Sequence, residues 1–183
     1  MKKVTLLGDS IRLWGYGKAV EESLVKDGFA VFQPTDNCRF SKYTLRMLCD
    51  FKNEIAGSEV IHWNNGLWDV CNLFGDGYFS DVQEYVSCMA RIADILLKVT
   101  NKVIFATTTP VMEGYPDQTN EDIVKFNKAV VPVLEEKGVI INDLFSAVYP
   151  RRSELLRPDK IHLNDEGAKI CADKVLDAIK KLL

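Results

Sequence analysis

"KVTLLGDSIRLWGYG", residues 3–17, starts as an apolar run of strand length, passes through the Gly8-Asp9-Ser10 triplet, and ends in a pair of glycines where a helical pattern begins. Val4 and Thr5 suit a strand because β-branched side chains pack well on a pleated surface. Gly8 allows a tight exit from it. The same switch of period recurs along the chain. "FAVFQ" (29–33), "EVIHW" (59–63), "KVIFAT" (102–107) and "GVIIN" (138–142) are four further apolar runs of strand length. Near-continuous apolar runs mark strands covered on both faces, as in a parallel sheet.

Helical patterns fill the gaps. Residues 16–27 and 42–56 read as amphipathic helices. Ser80-Asp81-Val82-Gln83 has the spacing of a capping box, with Ser80 as the cap. The helix after it places Val82, Tyr85, Val86, Met89, Ala93, Leu96 and Leu97 on one face. Residues 120–137 form another, opened by Asn120 and closed by Gly138, with a kink or break expected at Pro132. A last helix starts after Asn164, with Ala168, Cys171, Ala172, Val175, Leu176, Ile179, Leu182 and Leu183 as its expected buried stripe.

Five strand–helix alternations imply right-handed crossovers and a doubly wound sheet. The expected fold is α/β: a three-layer α/β/α sandwich, flavodoxin-like, around a five-stranded parallel sheet. Ligands of such sheets bind beyond the carboxyl ends of the strands. The loops beginning near Gly8, Pro34, Asn64, Thr107 and Asn142 are therefore where chemistry is expected.

The 183 residues fit one domain spanning 1–183. The formal net charge is −3, and the basic residues are scattered, so no face for nucleic acid is expected. No apolar run reaches the roughly 20 residues of a membrane span. Only four residues separate Lys3 from Gly8, too few for a secretory apolar stretch of about 7 residues or more, so the expected location is cytoplasmic. Five cysteines, an odd number with no CxxC, argue against a metal site and against a disulfide framework.

Three groups of residues carry chemistry. Ser10 follows the first strand at the ligand edge of the sheet, where free N–H groups at a helix start can stabilise an oxyanion. A serine hydroxyl is a weak nucleophile and needs a base. His162 supplies one, and Asp159, three residues earlier, can fix its tautomer. "VIHWNNGLWD" (60–69) follows the third strand and offers side-chain amides at the same edge. His62 lies inside that strand and reads as a structural histidine. Trp14, Trp63 and Trp68 are candidates for the wall of an apolar pocket.

The three blocks together resemble the SGNH hydrolases, also called GDSL esterases. "LLGDS" (6–10) is similar to the first block of that family, which implies Ser10 as nucleophile. "DKIHLNDEGAKICAD" (159–173) is similar to the last block, which implies His162 as base and Asp159 as its partner. The family's third block is usually Gly-x-Asn-Asp. "HWNN" stands there, so the resemblance implies Asn64 as oxyanion amide, with Asn65 as the one-residue alternative. The family's second block usually supplies a glycine N–H. The corresponding loop, "PTDNCRFSKY" (34–43), has no glycine, and a backbone N–H of Asn37, Cys38 or Arg39 is the expected substitute, with Cys38 taken as the central choice. The oxyanion hole so implied is Ser10 N–H, Asn64 and Cys38 N–H. The implied activity is a serine esterase acting on small acyl esters such as O-acetylated carbohydrate, without metal or organic cofactor.

Other readings remain. A lysophospholipase or thioesterase would use the same residues. A non-catalytic domain would bind an acylated ligand or sugar without turnover. "GYGKAV" (15–20) has part of a dinucleotide-binding pattern, but Val20 stands where its third glycine belongs. Arg12, Arg39, Arg151, Arg152 and Arg157 raise the question of an acidic substrate.

Overall fold

The computed structural model describes residues 2–183. The five apolar runs are its five strands: β1 (Lys3–Gly8), β2 (Ala30–Phe32), β3 (Val60–Asn64), β4 (Val103–Ala106) and β5 (Ile140–Asn142). All are parallel, in the order β2-β1-β3-β4-β5. Helices α1 (Gly17–Lys26), α6 (Leu144–Val148), α7 (Arg152–Leu155) and α8 (Asp165–Lys180) cover one face. Helices α2 (Ser41–Asp50), α3 (Lys52–Ile55), α4 (Val82–Leu97) and α5 (Asn120–Glu136) cover the other. This is the expected three-layer sandwich.

The inner strands are β1, β3 and β4. Val4, Leu6, Val60, Ile61, Ile104 and Phe105 on them are fully buried. The chain runs from β1 outward to β2, then returns to lay β3 on the other side of β1. That reversal is the topological switch point of this sheet type. Gly8 pairs level with Asn64 across it. The turn carrying Ser10 and the loop after β3 therefore start side by side.

Helix ends differ from expectation in several places. The chain turns helical already at Ser10 and passes through a wide π-type turn at Arg12–Tyr16 before α1. Gly15 takes the non-helical kink there (φ −113°, ψ −106°). The expected helix 42–56 breaks at Phe51 into α2 and α3. The cap of α4 is Asp81, which accepts from Glu84 N–H at 2.8 Å. Ser80 is not free to cap, because its hydroxyl donates to Asp69 Oδ1 at 2.9 Å. Thr119, not Asn120, caps α5. The Asn120 amide instead bridges the N–H and C=O of Val111, pinning the loop after β4. Helix α5 runs unbroken through Pro132. Pro132 and Lys128, whose carbonyl loses its partner, both lie on the exposed face, where the carbonyl is open to solvent. Asn164 caps α8 as expected, accepting from Gly167 N–H at 3.0 Å.

Candidate active site

Gly8 ends β1 against the Asn64 side chain. A Cβ at Gly8 would lie 2.0 Å from Asn64 Oδ1, so only glycine lets that amide pack across the strand end. The amide holds two neighbours. Asn64 Nδ2 donates to Asp9 Oδ1 at 2.7 Å, and Tyr16 Oη donates to Asn64 Oδ1 at 2.8 Å. Asp9 Oδ1 also accepts from Ile11 N–H at 2.9 Å, which shapes the turn around Ser10. Asp9 is buried, and Oδ2 has no partner. Burial pushes its pKa up to about 6, against the lowering effect of its bonds from Ile11 and Asn64.

His162 arrives from the other end of the chain. The Asp159 carboxylate accepts the N–H groups of Ile161 at 3.1 Å and His162 at 3.0 Å, closing a turn with Lys160 in the left-handed region (φ 69°). The turn is anchored by Arg157 N–H to His162 O at 2.7 Å and Met112 N–H to Lys160 O at 2.8 Å. It sets His162 Nδ1 2.9 Å from Asp159 Oδ2 and Nε2 3.0 Å from Ser10 Oγ. With the Nδ1–H tautomer, the imidazole donates to Asp159 and accepts the Ser10 hydroxyl proton. Partial burial pushes the Asp159 carboxyl up, but the N–H bonds and the imidazole outweigh it and hold its pKa below the ordinary carboxylate value. Asp159 thus stays ionised opposite the ring. The Trp14 ring meets His162 edge-on at 5.1 Å, and Arg157 Nη2 donates to the Trp14 backbone carbonyl at 3.0 Å.

Ser10 and His162 face an open cleft of about 140 Å³. Its apolar wall includes Trp14, Leu67, Trp68, Tyr115 and Ile161. Its polar lining is Asn37, Asp117 and Gln118. Trp14 and Trp68 line it as expected, whereas Trp63 is core, 5.0 Å from Phe105. No arginine lines the cleft. Arg12 is wholly buried, Arg39 pairs with Asp36, Arg151 with Glu154 and Glu166, and Arg152 with Glu113. Arg157 donates to Trp14 O, so none of the five arginines is itself part of the cleft lining.

The oxyanion assignments need correction. Cys38 N–H donates to Gly8 O at 3.0 Å and is part of the strand-end packing, so it is not a free donor. Asn37 N–H goes to Asp36 Oδ1 and Arg39 N–H to Asn37 Oδ1, each at 2.7 Å. Asn64 is turned onto Asp9 and Tyr16, as described. The alternative, Asn65, donates from Nδ2 to Arg39 O at 2.8 Å. Neither amide lines the cleft. Ser10 N–H, in the first helical turn, has no intrahelical partner and is the one expected donor left unengaged.

The dinucleotide reading fails on packing. A Cβ at Gly17 would lie 2.6 Å from Arg12 O and 2.7 Å from Gln33 Oε1, so protein atoms fill the space a phosphate would need. His62 is fully buried and neutral, its pKa pushed down by burial to about 3, with Nε2 3.3 Å from Asn142 Nδ2. All five cysteines are free. Among the described residues, no cluster of three or more His, Cys, Asp or Glu is placed to hold a metal ion, and no helix is long and apolar enough to cross a membrane.

Solved structures with this architecture cover nearly the whole chain. The acetyl xylan esterase AlAXEase superposes with a TM-score of 0.79 at 22% identity, covering 97% of this chain and 99% of its own. A lipase/acylhydrolase from Enterococcus faecalis gives 0.78 at 21%, covering 99% and 96%. Axe2, an acetylxylan esterase from Geobacillus stearothermophilus, gives 0.76 at 17%, covering 97% and 94%. The chain shares the fold of these structures, a three-layer α/β/α sandwich. Its sequence carries the resemblance further: GDSL esterase/lipase WDL1 of Oryza sativa subsp. japonica is 28% identical over 122 residues. That alignment takes in 58% of this chain, which spans about half, 47%, of the relative's length. No family model matches.

Three polar side chains of the cleft carry no sequence signal of their own. Asn37 falls in the loop after β2, where the family resemblance points to a backbone N–H and not to a side chain. Asp117 and Gln118 lie on the loop after β4, which the sheet rule marks but no motif does. Gln118 is 5% exposed, and its Nε2 has no partner in the protein.

Proposed function

We propose that this protein is a serine ester hydrolase and that residues 1–183 act as one catalytic domain. The hydrogen-bonded series from Asp159 through His162 to Ser10 at the wall of an open cleft carries this reading. In the first step Ser10 Oγ attacks the ester carbonyl carbon while His162 Nε2 takes the hydroxyl proton. The tetrahedral oxyanion collapses, the C–O bond to the alcohol breaks, and His162 returns its proton to the leaving oxygen. Water then attacks the acyl-enzyme with His162 again as base, releasing the acid and restoring Ser10. Asp159 holds the tautomer and stabilises the imidazolium throughout.

Short acyl esters of neutral alcohols, in particular O-acetylated carbohydrate, fit the cleft best. Trp14 and Trp68 are partly exposed residues of the cleft wall, and a sugar can stack on aromatic rings of this kind. Asp117 and Gln118 offer an acceptor and an amide for hydroxyl groups. Two of the structural neighbours described above are acetylxylan esterases. One observation favours a longer acyl chain, as in a lysophospholipid or thioester: Leu73 lines the cleft, and its neighbour Phe74 is 83% exposed. Hydrolysis of p-nitrophenyl acetate, butyrate and octanoate, beside acetate release from acetylated xylo-oligosaccharides, separates the two. A rate falling with chain length together with acetate release supports the first. A rate rising towards octanoate without acetate release replaces it with the second. Absence of turnover on all of these, with no labelling of Ser10 by a fluorophosphonate, leaves a binding domain.

A further inference from the structure

An ester hydrolase needs two or three donors aimed at the developing oxyanion, and the loop after β2 has lost the glycine that would provide one. Every backbone N–H from Asn37 to Arg39 is already bonded within the protein. The side-chain amides after β3 are bonded to Asp9 and Arg39 O. Two side-chain amides of the cleft lining have an unengaged nitrogen, Gln118 on the loop after β4 and Asn37 on the loop after β2, and only Asn37 stands in the loop where the missing donor is expected. Asn37 lines the cleft with Ser10 and His162. Its Oδ1 accepts Arg39 N–H at 2.7 Å, which fixes which end of the amide points where. The opposite end, Nδ2, makes no hydrogen bond to any described residue.

Resting on the esterase reading, we propose that Asn37 Nδ2 is an oxyanion donor and so a catalytic residue, working beside Ser10 N–H. The side chain supplies what a glycine N–H supplies elsewhere. The supporting frame is rigid. Arg12, fully buried, donates to Pro34 O and Asp36 O, each at 2.8 Å, and so clamps the segment that carries Asn37. Arg39, in the left-handed region at φ 49°, directs its N–H back onto Asn37 Oδ1. A donor held in place before the substrate arrives needs no reorganisation during reaction, which is the condition for electrostatic stabilisation of the transition state.

The test compares wild type, Asn37→Asp, Asn37→Ala and Ser10→Ala. Asn37→Asp keeps an oxygen for Arg39 N–H, and so keeps the turn, while removing the Nδ2 donor. Asn37→Ala removes the donor without adding charge. Two rates are read: steady-state p-nitrophenyl acetate hydrolysis, and second-order labelling of Ser10 by a fluorophosphonate. Thermal unfolding confirms that each variant is folded. Loss of one oxyanion donor lowers kcat by about 10²–10³-fold, so both Asn37 variants are expected to fall by about 10²-fold in kcat with KM little changed, and to label slowly. Wild-type rates in either folded variant overturn the assignment. A faster Asn37→Ala also overturns it, because Asn37 would then be covering Arg39 N–H, the true donor. If wild type itself neither hydrolyses nor labels, the esterase reading has failed and takes this inference with it.

Discussion

Arg12 Nη2 donates to Asp36 O at 2.8 Å, tying the loop after β2 to the helical turn that presents Ser10. The same guanidinium reaches Pro34 O, Gly8 O and Gln33 Oε1. It is a buried cation satisfied largely by carbonyl groups. Replacement by Met keeps the apolar stem but leaves buried acceptors unpaired, each costing about 1–3 kcal/mol. Arg12→Met is expected to lose on the order of 3 kcal/mol in urea unfolding and to lower esterase turnover as Asn37 loses its clamp. A loss under about 1 kcal/mol would show that the clamp is dispensable.

Asp9 gives a pH signature. Its pKa in the fold is pushed by burial to about 6, above the ordinary 3.8. The native state therefore keeps a proton that the unfolded chain releases, so stability from this group is full below pH 3.8 and is lost as pH rises through 6. The lost amount is about 3 kcal/mol at 1.36 kcal/mol per pKa unit. Other carboxylates, such as Asp159 and Asp143, are lowered and act in the opposite sense. The useful quantity is thus the difference between wild type and Asp9→Asn. Relative to the variant, wild type should weaken between pH 4 and 7 and then level off. A difference independent of pH contradicts a buried, protonatable Asp9.

Gly8→Ala drives a Cβ to 2.0 Å from Asn64 Oδ1. Either β1 shifts or the Asn64 amide leaves Asp9 and Tyr16. Overpacking of this kind costs about 1–3 kcal/mol. The variant should melt lower than wild type, and the pH dependence assigned to Asp9 should change with it. An unchanged melting curve would mean that the strand end adapts freely.

Asp159→Asn keeps the shape of the turn but offers the imidazole an amide in place of a carboxylate. Wrong-tautomer histidine is poor as a base. We expect kcat for p-nitrophenyl acetate to drop at least about 10²-fold with a small change in KM. Full activity in a folded Asp159→Asn would remove the carboxylate from the account.

The fold was legible because the apolar runs are short, continuous and separated by helical spacing, and each became a strand. Ser10, Asp159 and His162 were legible because two of them lie three residues apart and the third follows the first strand by two residues. Helix caps were less so. Ser80 and Thr119 sit next to equally good candidates, and the choice depends on Asp69 and Val111, which are distant in sequence or outside the helix. The oxyanion donors were least legible. The Asn64 amide is oriented by Asp9 and Tyr16, 55 and 48 positions away, and no local spacing records that. Cys38 N–H is likewise claimed by Gly8 O across the strand end.

The central claim is that Ser10 is a nucleophile driven by His162. Fluorophosphonate labelling of wild type and Ser10→Ala, with mass mapping of the modified residue and parallel p-nitrophenyl acetate kinetics, tests it most directly. The account predicts one label on Ser10, no label in the variant, and a loss of turnover of several orders of magnitude. Equal hydrolysis by wild type and a folded Ser10→Ala would contradict it.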